Sequence, residues 1–207
     1  CFPQLLSELE KTKPNLSSIN GLAYWENGVS KISLPEGFIK DLDSIPFADY
    51  GNLNFIEYGN KVLKYSSGLL PRSFPFAVTI TSRGCPYQCI FCAGSTISGT
   101  KIRFRSARNI LDEIGKLYNA GIREIIFLDD HFLGDHKRAK EIMLGLIERR
   151  YKLTWKCVNL MISFLDKEIL ELMKQSGCYQ MTLSVESGNQ HVLNKIIKKP
   201  VKLDKVP

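Results

Sequence analysis

From Phe76 onward one pattern repeats four times: a short apolar, β-branched run, a polar loop, and a stretch with helical spacing. The runs fall at residues 77–81, 124–128, 153–158 and 179–185. A helix is predicted at 107–120, where Ile110, Leu111, Ile114, Leu117 and Tyr118 make one stripe. A second is predicted at 136–149, with Ala139, Ile142, Met143, Leu146 and Ile147 as its buried face. Asp166 caps a third, carrying Ile169, Leu170, Leu172 and Met173, and a fourth lies near 189–198. Gly121 and Gly177 stop the first and third. Strands alternating with helices imply parallel pairing through right-handed βα units. Four units are too few to close a barrel; they suit half of a TIM-like barrel or part of an open sheet.

The first 75 residues read differently. Residues 4–11 carry Leu5, Leu6 and Leu9 at helical spacing. Runs at 22–25 and 29–32 flank Asn27-Gly28, which supplies the positive backbone angles of a tight hairpin turn. A second hairpin is expected from 55–58 and 61–64 around Gly59-Asn60. Between the two, residues 39–50 mix Asp, Pro and aromatic residues and read as an irregular connector. The chain opens on Cys1 and stops at Pro207 just past a lysine-rich segment, so it is read as a piece of a longer protein. No run of some 18 apolar residues marks a membrane span. The net charge of +7 is spread over solvated helix faces rather than blocked, which disfavours a nucleic-acid partner. The cysteine pattern points to a reducing, cytoplasmic setting, with Cys157 and Cys178 as buried thiols rather than a disulfide.

In a parallel βα array, function gathers where the loops leave the C-terminal ends of the strands. Each unusual polar group of this chain falls there. Thr81-Ser82-Arg83-Gly84-Cys85-Pro86-Tyr87-Gln88-Cys89-Ile90-Phe91-Cys92 follows the first strand, Asp129-Asp130-His131 the second, Asn159 the third and Glu186-Ser187-Gly188 the fourth. The spacing C-x3-C-x2-C can set three thiolates on one face of a small inorganic cluster. A structural zinc site or a closed cluster wants four protein ligands, so three leave one metal corner free.

This loop, with an aromatic residue before its last cysteine, resembles the signature of radical S-adenosylmethionine (SAM) enzymes. Together with Thr81-Ser82-Arg83-Gly84-Cys85-Pro86 it is similar to the group whose members carry an N-terminal cobalamin-binding-like domain. The resemblance implies a [4Fe-4S] cluster on Cys85, Cys89 and Cys92, whose fourth iron takes the amino and carboxylate groups of SAM. It further implies Phe91 near the adenine, Asp129 and Asp130 near the SAM amino group by position, and Glu186 and Ser187 against SAM. The fold class it favours is α/β: a partial radical SAM barrel of about four βα units, preceded by a small α+β remnant with hairpins. On that basis residues 1–40 are the end of an upstream domain, 41–75 a linker and hairpin, and 76–207 the first half of the barrel.

The implied activity is reductive cleavage of SAM to methionine and a 5′-deoxyadenosyl radical that attacks a small-molecule substrate, fed by a one-electron donor such as flavodoxin or ferredoxin. Cobalamin, held by the upstream domain, would make this methyl transfer or cyclisation. Two other readings stay open: methylthio transfer to RNA or protein, and a non-catalytic iron–sulfur or zinc module. Asp129-Asp130-His131-Phe132-Leu133-Gly134 also spells D-x-H-x-x-G, by which some cobalamin proteins offer a histidine to cobalt. Those proteins need a later S-x-L and a Gly-Gly pair; Ser163-Phe164-Leu165 comes too early and the chain has no Gly-Gly.

Overall fold

The structure is a computed structural model that describes residues 2–34, 37–51, 54, 57 and 71–206. Contacts divide the chain into two compact units, up to Lys40 and from Asp41 onward. The first holds helix α1 (Phe2–Leu9) and the hairpin of β1 (Ala23–Glu26) and β2 (Val29–Ile32). Ala23 pairs with Ile32 and Glu26 with Val29, leaving a two-residue turn in which Asn27 and Gly28 sit at φ 52° and 76°. Both angles are positive, as a turn matching the twist of its strands requires. The carboxylate of Glu8 accepts from Lys11 Nζ and from the backbone of Asn15, which folds the chain back after α1. Much of this unit's apolar surface faces outward: Trp25 is 74 % exposed, Ile32 75 % and Leu34 82 %. The expected second hairpin lies outside the described residues.

The second unit is built on a four-stranded sheet of β3 (Phe76–Thr79), β6 (Glu124–Phe127), β7 (Thr154–Leu160) and β8 (Cys178–Leu183). Two further strands, β4 (Ser82–Arg83) and β5 (Arg103–Phe104), form an antiparallel pair above it, with the short helix α2 (Gly94–Ser98) between them. All three pairings of the main sheet are parallel and the strands follow chain order, β3-β6-β7-β8. A doubly wound sheet reverses its strand order at a switch point; this one does not, which is the progression of a TIM-like barrel. Helices α3 (Ala107–Asn119), α4 (His136–Glu148) and α5 (Lys167–Gln175) fill the crossovers.

The core lies between one face of the sheet and these helices. Ala77, Ile125, Phe127, Trp155 and Cys157 point to that side, where they meet Ile110 and Ile114 of α3, Ile142 and Met143 of α4, and Ile169 of α5. Each helix starts on a side-chain cap, Ser106 accepting from Asn109, Asp135 from Arg138 and Asp166 from Ile169. Such caps are worth about 1 kcal/mol apiece. Gly177, at φ 97°, ends α5 where a Cβ would come within 2.7 Å of the Leu153 carbonyl oxygen. The chain must turn there with no side chain.

Three features depart from expectation. Strand β7 runs on to Leu160, so Asn159 lies within the strand rather than after it, at φ 62° where the register with β8 slips between Cys157 and Leu160. The extra residue is a bulge, which re-aims a side chain without ending the strand. Strands β4 and β5 were not foreseen, since a two-residue strand carries no periodicity. The final helix is a π-helical turn over Val192–Ile197 rather than an α-helix.

Candidate functional site

The cysteine loop is anchored before it begins. Asp129, just past β6, is 1 % exposed, and its Oδ1 accepts three hydrogen bonds: from the Thr81 backbone at 2.9 Å, the Thr81 hydroxyl at 2.8 Å and the Ser82 hydroxyl at 2.6 Å. Burial pushes this carboxyl upward in pKa, against the pull of Ser82, Thr81 and the nearby Arg138. Arg138, from the first turn of α4, donates to the Thr81 hydroxyl at 3.0 Å and to the Phe132 carbonyl at 2.9 Å. Its guanidinium also lies 4.7 Å from the centre of the Phe104 ring. One carboxylate and one guanidinium thus tie the end of β3 to β5, to the loop after β6 and to α4.

Beyond that anchor the loop closes on itself. Ser82 and Arg83 pair with Phe104 and Arg103, and the Cys85 amide donates to the Gly99 carbonyl at 3.0 Å. Gly84 sits between them at φ 102°, where a Cβ would stand 2.3 Å from the Lys101 carbonyl oxygen. Only glycine passes there.

Cys85, Cys89 and Cys92 line one cavity of about 250 Å³. Cys85 Sγ is 3.3 Å from His131 Nε2, Cys92 Sγ accepts from the Gly94 amide at 3.3 Å, and Cys89 Sγ lies 3.9 Å from the Lys198 carbonyl. Burial pushes the Cys85 and Cys89 thiols up; Lys199 pulls Cys89 back down. Among the described residues, the other cysteines, Cys157 and Cys178, are free thiols outside the cavity lining, Cys157 pushed well up by burial and Cys178 up to about 12.

Of the other residues picked out by sequence, Phe91, Asp130 and Glu186 line the same cavity. Asp129 and Ser187 are not among its lining residues. Asp129 is the buried anchor just described, and the Ser187 hydroxyl accepts from the Asn189 amide in the turn that leads to the π-helix. Glu186 holds a left-handed backbone at φ 72°, and its Oε1 accepts from Lys199 Nζ at 2.8 Å. Such a conformation costs a non-glycine residue about 1–3 kcal/mol and gathers at functional sites.

Sequence reasoning missed Lys199, placed His131 at this rim without assigning it a role toward the cluster, and set Asn159 aside; all three line the cavity. Lys199, at the end of the lysine-rich segment, is only 8 % exposed. The π-helix delivers it. Its last carbonyl, Ile197, accepts from the Ile90 amide of the cysteine loop, Lys198 turns left-handed at φ 60°, and the Lys199 amide returns to Leu193. An apolar helix ending in Lys-Lys-Pro at the rim was the available signal.

The donor set suits an iron–sulfur cluster: three soft thiolates from one loop, with a carboxylate and an ammonium facing the same space. Among the described residues no three His, Cys, Asp or Glu side chains converge on a single ion. A cluster does not ask that of its ligands, because each thiolate meets its own iron.

The model of the radical SAM superfamily matches residues 79–206. An uncharacterised methyltransferase of Pyrococcus horikoshii is 33 % identical over 198 residues, covering 95 % of this chain and 40 % of the relative. The cytidylyl-2-hydroxyethylphosphonate methyltransferase of Streptomyces wedmorensis is 32 % identical over 201 residues, covering 93 % of this chain and 36 % of the relative. Among solved structures, the cobalamin-dependent SAM radical enzyme OxsB with aqua-cobalamin bound superposes with a TM-score of 0.70 at 22 % identity, over 99 % of this chain and 29 % of that one. The chain therefore spans well under half the length of each. With the match running from the last residue of β3 through the cysteine loop and the π-helix, the chain belongs to the radical SAM superfamily.

Proposed function

We propose that this chain is the cluster-bearing part of a radical SAM methyltransferase acting on a small molecule with the help of cobalamin. The observation that carries the reading is the meeting, in one cavity at the C-terminal ends of the strands, of three loop thiols with Asp130 and the Glu186–Lys199 pair. The relatives named above support the reaction class. Residues 1–40 would be the end of an upstream cobalamin-binding-like domain, a placement supported by the outward-facing Trp25, Ile32 and Leu34.

Cys85, Cys89 and Cys92 would hold the cluster, which supplies one electron to the SAM sulfonium when reduced by an external donor. The protein's own work is placement. Asp129 and Arg138 hold the loop, so the thiolates are arrayed before any metal arrives. Asp130 offers a carboxylate to the ammonium end of SAM, and Lys199 offers a cation to its carboxylate end, both charge-assisted contacts. Phe91, 59 % exposed beside the last thiol, offers an apolar face to the adenine.

The test uses the full-length protein, reconstituted anaerobically with iron and sulfide. Expected are a cluster that survives gel filtration, and S-adenosylhomocysteine or 5′-deoxyadenosine formed from SAM under a low-potential reductant. Replacing Cys85, Cys89 and Cys92 together by Ala should abolish both; turnover that survived would defeat the reading. Zinc bound without SAM would mean a non-catalytic module. A second reading, methylthio transfer, is supported by 24 % identity over 203 residues to the ribosomal protein uS12 methylthiotransferase RimO of Clostridium botulinum. Sulfur carried into the product would select it.

A further inference from the structure

We infer that His131 donates a hydrogen bond to the Cys85 thiolate and thereby sets how readily the cluster accepts its electron. The inference rests on the assignment of the three cysteines proposed above. Its foundation is the 3.3 Å approach of His131 Nε2 to Cys85 Sγ. The ring is 4 % exposed and wedged between Tyr87, at 5.4 Å between centroids, and the edge of Phe164, at 5.9 Å. Behind it, the His131 carbonyl accepts from the Gly134 amide at 3.1 Å, and a Cβ on Gly134 would come within 3.1 Å of His131 Cβ. This imidazole is a packed, oriented group.

Both ends of the contact hang from one carboxylate. Asp129 binds Thr81 and Ser82 on the strand that leads to Cys85, and His131 follows two residues after Asp129. The anchor that fixes the cysteine loop therefore fixes the histidine against it. The D-x-H-x-x-G pattern would offer His131 to cobalt; in the structure its Nε2 faces sulfur.

The chemistry follows from proton count. A metal-bound thiolate carries no proton and can only accept, so a ring nitrogen at this distance is attractive only as Nε2–H. That hydrogen bond draws electron density from the sulfur and favours the reduced cluster, which holds one more negative charge. The three ligands are then unequal. Cys92 receives a backbone amide, Cys85 a side-chain N–H besides the Tyr87 backbone amide, and Cys89 faces a carbonyl. A backbone donor cannot be removed by substitution, whereas His131 can.

The experiment uses the full-length reconstituted protein with its histidines labelled with nitrogen-15. Pulsed EPR of the reduced cluster without SAM should show a weak coupling to a histidine nitrogen that is lost in His131→Phe. At a fixed potential, His131→Phe should lower the ratio of reduced to oxidised cluster about tenfold, ~59 mV for a one-electron couple. His131→Gln, which keeps an N–H donor, should recover part of this shift. A wild-type cluster with no histidine coupling overturns the inference whether or not the variants fold. So does an unchanged potential in an iron-replete His131→Phe. Iron and sulfide content keep the two readings apart: a wild-type protein that loads no cluster defeats the cysteine assignment, while a normal cluster indifferent to His131 defeats this inference alone.

Discussion

The two ends of the cavity are built differently. At the β3 end, the cysteine loop rests on Asp129 and Arg138, both buried, through hydrogen bonds that use backbone and side chains of four separate segments. At the β8 end, Glu186 and Lys199 hold each other through one ion pair, with the Glu186 side chain 34 % accessible and the backbone on both sides left-handed. A buried, over-determined network opens only when the whole domain opens. A single ion pair whose acid is a third accessible, on the segments that flank a short π-helical turn, can yield locally. The cysteine end is therefore preformed, and the end nearer the remaining cavity is free to adjust to what enters.

The largest effect should come from breaking the preformed end. Asp129→Ala strands three buried donors, at about 1–3 kcal/mol for each group left unsatisfied. It also removes the nearest countercharge for a buried arginine. A loss of at least ~3 kcal/mol in denaturant unfolding is expected, with cluster retention falling in parallel. Asp129→Asn keeps an acceptor at Oδ1 and should cost clearly less. If Asp129→Ala unfolded at the wild-type denaturant concentration, the contrast between the two ends would collapse. A somewhat smaller effect is expected at Gly84. Alanine there must bear a positive φ and a Cβ 2.3 Å from the Lys101 oxygen, so the strand pairing around Cys85 has to spread. About 2 kcal/mol is expected, and the loss should concentrate in hydrogen-exchange protection of residues 82–85 and 101–104 rather than across the sheet.

What could be read from the sequence follows the same division. The βα rhythm was legible because a helix packed on a sheet must show its apolar stripe at fixed spacing, and Ile110, Ile114, Ile142 and Ile169 do. The three thiols stood out by their spacing, and the structure sets all three around one cavity. Asp129 was misjudged for a reason of scale. Two adjacent carboxylates at a strand end look alike in sequence, but the alternation of β6 turns one inward, under Thr81 and Ser82, and leaves the other in the cavity. Lys199 was hard to single out because its only signal, the Lys-Lys-Pro after an apolar stretch, does not say which lysine the turn after the π-helix will bury. Asn159 was placed one element too late because a bulge leaves no periodic trace.

The adjustable end predicts the smallest effect on stability and a distinct effect on the metal. Lys199→Met breaks a pair whose acid is a third accessible, so the fold should lose no more than about 1 kcal/mol. Yet it takes away the cation that pulls the Cys89 thiol down and leaves Glu186 uncompensated beside three thiolates. Crowded negative charge disfavours the deprotonated ligands that iron requires. Iron should therefore leave the variant several-fold faster under chelator challenge, while the apoprotein unfolds nearly as the wild type does. Adding Glu186→Gln restores the charge balance without restoring the ion pair, so it should recover most of the retention if charge is the cause. Retention that stayed low in the double variant would instead mean that the Glu186–Lys199 contact holds the π-helix against the cysteine loop as a structural clasp. The two ends of the cavity would then differ in exposure alone and not in kind.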